Sequence, residues 1–550
     1  MADIERREQM FPRLDEAQLA RIAAHAEKRA IRKGEILFDQ GTANPGVFIL
    51  LSGTLEVVRP RFDGEDPIVV HHRGEFTGEV NILAGRRSLV RGRVGEDGEA
   101  LYFETTAFRR LAESDSELSE IFMRAFILRR VSLIARGMGD AVVLGSVHSG
   151  GTLRLREFFT RNGHPYSYLD VESDDRVQAL LDRFKVGVED VPIVICRGER
   201  VLKNPSNEEV AECFGLSRAI DPLLLRDLVV VGAGPAGLAA AVYGASEGLD
   251  VLVLETTAPG GQAGTSSKIE NYLGFPTGIS GQALAGRAFA QAQKFGAEVS
   301  ITRTAVSFVC QDQLGYKIGL SDGSFVRSRA MVIASGVQYR RLPLENLSKF
   351  EGLGIYYGAS HLEAQLCAGC EVIVVGGGNS AGQAAVFLST RVKHVHMLVR
   401  GAGLSDTMSR YLIQRIEESP TITLRPHTEI TALEGGAQLD QVTWRGPDGG
   451  LEVRPIGHVF LMTGAEPNTK WLEGCVALDE KGFVKTGAEL SAEDMSLGHW
   501  PLTRSPFLLE TNRHRVFAVG DVRSGSVKRV AASVGEGSVC IQLVHRSLAE

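Results

Sequence analysis

Hydrophobic and polar positions change period several times along this 550-residue chain, and each change marks a block. LDEAQLARIAAHAE has helical spacing, and short apolar runs follow it between Gly and Asp turns: EILFDQG, GVFILLSGTLEVVRP, PIVVHHRG, SLVRGRV and ALYFE. Strands so short and so regularly punctuated predict an antiparallel β-barrel or jelly roll over residues 1–113. SELSEIFMRAFILRRVSLIARGM returns to helical spacing, so residues 114–140 are expected to form a connecting helix. Between 141 and 217, AVVLGSV and PYSYLDV read as buried parallel strands, with TLRLREFFTRNG and DDRVQALLDRFKV as the helices after them. PIVICRGERVLKN reads as a hairpin before a last helix, NEEVAECFG. Beyond Asp227 come two strand, glycine turn and helix units, LVVVGAGPAGLAAAVY and EVIVVGGGNSAGQAAVFL, about 145 residues apart.

The pattern predicts a multidomain protein: a β jelly-roll unit, a small α/β unit, and two Rossmann-like domains. The second Rossmann-like domain, 341–465, is expected to be nested in the first, 225–340 and 466–550. Charge narrows the functional classes. Acidic residues outnumber basic ones 67 to 60 without a Lys/Arg run, which argues against general affinity for nucleic acid or anionic membrane. No signal peptide and no membrane span are read from the sequence, and a cytoplasmic protein is expected. Seven cysteines, an odd and modest number, argue against a structural disulfide framework.

The first glycine turn carries dinucleotide chemistry. In LVVVGAGPAG, Gly232 permits the tight turn, Gly234 lets the backbone approach a diphosphate, and Gly237 lets helix and strand pack closely. Glu255 ends the next strand, DVLVLE, where a carboxylate can accept both hydroxyls of an adenosine ribose. Gly376, Gly378 and Ala381 repeat the fingerprint, with Asn379 and Ser380 opening the helix, and a nicotinamide dinucleotide is the expected ligand. After HVHMLV comes Arg400, so a 2'-phosphate is tolerated or attracted and NADPH is favoured, with NADH as the alternative.

Residues 227–548 resemble the low-molecular-weight thioredoxin reductase family through GGQAGTSSKIENYLGFP at 260–276, VIASG at 332–336, GGGNSA at 376–381, TGAEPNT at 463–469, and VFAVGDV with KRVAASVGEGS at 516–538. The resemblance implies that Gly260, Gly261, Gln262 and Asn271 lie along FAD. It also implies that Asp521 binds the ribityl or diphosphate part, and that Arg529 and Ala531 approach the flavin ring. That family passes electrons from flavin to a Cys-x-x-Cys pair. The corresponding positions here are Gly358, Ala359, Ser360, His361 and Leu362. Cys367 and Cys370 do form a Cys-x-x-Cys, but directly before the strand EVIVV, at the end opposite its ligand-binding edge. An inert pair is the reading, and His361 becomes the candidate proton donor near the ring.

Two further resemblances complete the chain. VEDVPIVIC resembles the strand after the cis-proline of thioredoxin and glutaredoxin folds, which implies a cis bond at Pro192; VHSGGT stands where that fold's catalytic cysteines would be, a disarmed, cysteine-less unit over 141–217. GVFILLSGTLEVV and GEFTGEVNILAGRRSLVRGRV resemble cyclic-nucleotide-binding domains. Gly78, Glu79, Arg87 and Ser88 match the phosphate cassette, where the carboxylate would accept from the ribose and the guanidinium offset the cyclic phosphate. The reading is therefore a homodimeric, FAD-dependent NAD(P)H oxidoreductase without its dithiol, passing electrons to an unidentified acceptor and regulated through a cyclic nucleotide. The alternatives are a thioredoxin-disulfide reductase using Cys367 and Cys370, and a non-catalytic FAD/dinucleotide redox sensor.

Overall fold

The computed structural model describes residues 7–42, 45–61, 64–78, 87–135, 140–146, 149–172, 190–197, 200–217, 220–266, 268–309, 315–359, 361–405, 407–436 and 438–550. The first block opens with α1 (Glu16–Ala23), fixed by a reciprocal cap between Asp15 and Gln18. Seven strands follow: β1 (Glu27–Ile31), β2 (Ile36–Phe38), β3 (Val47–Leu50), β4 (Thr54–Arg61), β5 (Gly64–His71), β6 (Arg91–Glu96) and β7 (Gly98–Phe103). They form two antiparallel sheets, ordered β1-β7-β3 and β2-β6-β4-β5.

The connecting region differs from expectation in two ways. It begins at α2 (Thr105–Ser114), ahead of the predicted boundary, and continues as α3 (Ser116–Ala135). Asp115 makes the break: its extended backbone closes α2 through its N–H, while its carboxylate accepts from Leu118 N (3.1 Å). Phe122 and Phe126 pack edge to face on Phe76, and Phe108 packs against both and against Phe103, which binds both helices to the barrel.

The α/β unit contains β8 (Ala141–Gly145), α4 (Gly150–Arg161), β9 (Tyr166–Asp170), β10 (Ile193–Cys196), β11 (Arg200–Lys203) and α5 (Asn207–Phe214). Its sheet runs β11-β10-β8-β9, with β8 and β9 parallel and β10 antiparallel to both neighbours. The Val191–Pro192 bond is cis. DDRVQALLDRFKV falls outside the described residues. One reading is corrected: the unit is not free of cysteine, and the chain does contain a disulfide. Cys196 at the end of β10 faces Cys213 in α5, both buried, and the two are bonded with Cα atoms 6.7 Å apart. Strand and helix lie in adjacent layers, which brings together cysteines whose separation of 17 carries no motif.

The remainder has two open sheets. The first contains β12 (Leu225–Val231), β13 (Val251–Glu255), β14 (Glu298–Ile301), β15 (Ala305–Val309), β16 (Tyr316–Leu320) and β17 (Phe325–Ile333) in the order β14-β13-β12-β17-β16-β15. Helices α6 (Pro235–Ser246) and α7 (Gly281–Lys294) connect its early strands. Covered faces explain why LVVV and VLVL are apolar without alternation. The chain leaves by β18 (Val337–Tyr339) and builds the second, parallel sheet from β19 (Ile355–Tyr356), β20 (Glu371–Val375), β21 (His394–Leu398), β22 (Ile422–Arg425) and β23 (Val459–Leu461). Helices α8 (His361–Leu366), α9 (Asn379–Ser389) and α10 (Arg410–Glu417) belong to this second sheet. The chain returns by β24 (Ala465–Pro467), which pairs antiparallel with β18, and β25 (Val516–Ala518) rejoins the first sheet beside β17 before α11 (Val530–Leu548). Among the described residues no helix is long and apolar enough to cross a membrane.

Candidate functional site

The first glycine turn is shaped by the space it lacks. Gly232 has φ +107, and a Cβ there would stand 2.3 Å from the Ala334 carbonyl oxygen. A Cβ on Gly237 would stand 1.9 Å from the Gly232 oxygen, so α6 can meet its strand only through glycine. Gly234 caps α6, whose first turn opens with Pro235. A second turn faces this one: Gly260 N donates to Ala233 O (2.7 Å), and a Cβ on Gly261 would lie 3.1 Å from Gly234 Cα. The two backbones therefore form a cradle that side chains would fill, and its floor is the positive end of α6.

Of the remaining predicted residues, Glu255 bonds directly to both turns. Glu255, buried at the end of β13, accepts from Ala233 N (2.8 Å), Thr257 N (2.9 Å) and Ala258 N (3.2 Å), which ties both turns to one carboxylate. Gln262 Nε2 donates to Val337 O (2.6 Å), and Asn271 is exposed on the loop beyond it. Asp521 sits in the turn after β25, half-buried. Burial raises its pKa above the ordinary carboxyl value and Glu536 adds to this, while Lys528 opposes it. Glu536 accepts from Gly520 N (2.7 Å) and pairs with Arg523 (2.7 Å). Arg529 caps α11, and Ala531 is exposed in its first turn.

The second turn repeats the geometry. A Cβ on Gly376 would approach Met462 O to 2.2 Å, whereas nothing lies within 4 Å of a Cβ on Gly378, which caps α9. Ala381 is buried against the sheet and Ser380 is exposed. Asn379 Oδ1 accepts from Ser409 N (2.7 Å), and Thr407 Oγ1 donates to Gly377 O (2.7 Å), so the following loop is anchored to the turn. Val399 is buried and Arg400 exposed just beyond β21. The two domains also touch away from the connecting strands: Arg415 of α10 pairs with Glu270 (2.8 Å), and Gly358 lies beside Thr265.

Cys367 and Cys370 stand at the start of β20, the end opposite Gly376. Cys367 is fully buried and Cys370 exposed, and both are free thiols. Burial pushes the Cys367 thiol far up, with Cys370 and Glu363 adding to it, the reverse of what a reactive thiolate needs. His361 opens α8 on the segment that approaches Thr265.

In the barrel, Gly78 O accepts from Arg129 (2.8 Å), and Glu79 lies outside the described residues. Arg87 is exposed and donates to Gly41 O (3.0 Å). The Ser88 hydroxyl donates to Val90 O (2.8 Å). Among the described residues no group of three His, Cys, Asp or Glu could hold a metal.

What the sequence reading missed is the approach of the α/β unit to the cradle. Asn162 Nδ2 donates to Thr257 O (3.1 Å), Arg161 Nη2 to Gly261 O (3.3 Å), and Gln282 Nε2 of α7 donates back to Thr160 O (2.6 Å). No local signal marks these residues, which read as polar positions at a helix end.

Two open α/β sheets, the second inserted in the first, each with a glycine turn before a helix, define a two-dinucleotide oxidoreductase. The chain belongs to the pyridine nucleotide-disulphide oxidoreductase family, whose pattern covers residues 226–537, and residues 28–115 match the cyclic nucleotide-binding domain. Within that family it is similar to thioredoxin reductases. That of Streptomyces clavuligerus is 30% identical over 336 residues, 59% of this chain and 94% of that protein. The Bacillus subtilis enzyme is 29% identical over 59% of this chain and 95% of its own length. The crystal structure of T. acidophilum thioredoxin reductase superposes with a TM-score of 0.52 at 26% identity, covering 59% of this chain and 99% of that one.

Proposed function

We propose that this chain is an FAD-dependent NADPH oxidoreductase of the thioredoxin reductase type whose electrons leave the flavin without passing through a cysteine pair. FAD supplies the two-electron exchange between nicotinamide and acceptor. Gly232, Gly234, Gly237, Gly260 and Gly261 would receive its diphosphate. Glu255 would take the adenosine ribose on lone pairs that its three backbone donors leave free. Gln262 and Asn271 would lie along the cofactor, Asp521 at the ribityl chain, and Arg529 and Ala531 beside the ring. On the second domain, Gly376, Gly378, Asn379, Ser380 and Ala381 would hold NADPH, with Arg400 at the 2'-phosphate. His361, at the start of α8, would hold the proton that accompanies reduction of the acceptor.

The observation that carries this reading is the pair of facing glycine turns, combined with the chain's single Cys-x-x-Cys standing at the far end of β20. Anaerobic reductive titration tests it. Two electrons per subunit are expected; a count of four that falls to two in the Cys367→Ala/Cys370→Ser variant would restore the thiol relay.

Two further readings belong to the same proposal. The sheet order of the α/β unit supports a thioredoxin-like fold. The barrel's match to the cyclic nucleotide-binding domain supports binding of a cyclic nucleoside monophosphate, for which Arg87 would exchange Gly41 O for phosphate. Calorimetric titration with cyclic AMP and cyclic GMP, repeated on Arg87→Ala, checks this; no heat with either nucleotide removes it.

A further inference from the structure

The α/β unit meets the reductase where the cofactor cradle is made. The last turn of α4 reaches both ends of the loop 257–261: Asn162 binds the Thr257 carbonyl and Arg161 the Gly261 carbonyl. Gln282, in the first turn of α7, fastens the same turn from the reductase side through Thr160 O. Beneath these bonds Phe158 and Phe159 are fully buried in one continuous apolar core with Ala233, Ala236 and Leu238 of the first glycine turn and α6. Burial of these large apolar side chains in a shared core holds the two units together.

Arg161 is the informative residue. Its side chain is only 21% exposed, and its sole ion-pair partner among the described residues is Glu157 at 3.5 Å. Among the described residues its Nε is buried without a hydrogen-bond partner. A guanidinium is thus held at the lip of the cradle, bonded to a residue whose φ of +53 is one an L side chain rarely adopts. The turn it holds is the one that must stay open opposite Gly234 for a diphosphate to enter.

We infer that the α/β unit is the outer wall of the FAD site, and that Arg161 is a positioning residue that fixes the Gly260–Gly261 turn for the cofactor diphosphate. This rests on the assignment of FAD to the first glycine turn. It gives the unit a task that requires no cysteine chemistry: retention of the cofactor. Its positive charge at the same lip favours the anion further.

The test uses the full-length holoprotein. FAD affinity is measured by fluorescence titration of the apoprotein, alongside the unfolding temperature of that apoprotein. Arg161→Met is expected to weaken FAD at least fivefold while the apoprotein melts within a degree or so of the native one. Arg161→Lys, which can still donate to Gly261 O, is expected to recover most of the loss. Gln282→Ala, on the opposite side of the contact, should weaken FAD in the same direction and serves if Arg161→Met fails to fold. FAD affinities within twofold of native in both Arg161→Met and Gln282→Ala would overturn the inference. A native protein that neither carries nor takes up FAD would instead overturn the cofactor assignment on which it rests.

Discussion

Replacing Cys367 by Ala and Cys370 by Ser separates a thiol relay from direct transfer. The six steps from Cys370 to Gly376 follow an extended strand at about 3.3 Å per residue, so the pair stands roughly 20 Å from the dinucleotide-binding edge of its own sheet. A thiol that exchanges electrons with a flavin must touch it. Cys367 is also fully buried, and burial has shifted its proton equilibrium away from thiolate. Removing its sulfur from an apolar site costs on the order of 1 kcal/mol, too little to unfold a domain. The assay is NADPH-driven turnover with three acceptors: ferricyanide, a quinone and a small aromatic disulfide. Each rate is expected within twofold of native. Loss of disulfide reduction by tenfold or more, with ferricyanide turnover retained, is the signature of a sulfur relay and would rule out direct transfer.

Asp521→Asn gives a pH-dependent result. Because the folded pKa of Asp521 is raised, ionisation opposes folding above that pKa, and this cost is absent below the unfolded value. The Asn apoprotein should therefore melt higher than native at neutral pH, with the difference vanishing as pH falls through the ordinary carboxyl range, while FAD binds more weakly; a lower apoprotein melting temperature at pH 7 contradicts this. Replacing both Cys196 and Cys213 by Ala opens a loop of 17 residues' separation, worth roughly 3 kcal/mol of chain entropy, so chemical denaturation of the α/β unit should shift by about that much. If reductant fails to shift the native protein toward the variant, the bond is not contributing.

Much of the reductase was legible because glycine fingerprints state a steric requirement. Gly232, Gly237 and Gly376 each stand where a Cβ would strike a carbonyl, so sequence and geometry say the same thing. The start of α2 was not legible, since Glu104 offers no side-chain cap, and the break at Asp115 depends on a single aspartate serving two helices. Cys196 and Cys213 meet across layers, and Arg161 meets Gly261 a hundred residues later in the chain. Such pairings are set by how units dock, and periodicity along the chain holds no record of docking.

The paired strands β18 and β24 are the only covalent route into and out of residues 340–464, and they run side by side, about 5 Å apart. Entrance and exit therefore share one doorway. A short linker bridging Tyr339 to Ala465 would close the gap without disturbing the first sheet, where β25 pairs beside β17. Residues 340–464 could consequently be excised or exchanged as a cassette while the first sheet keeps its strand order.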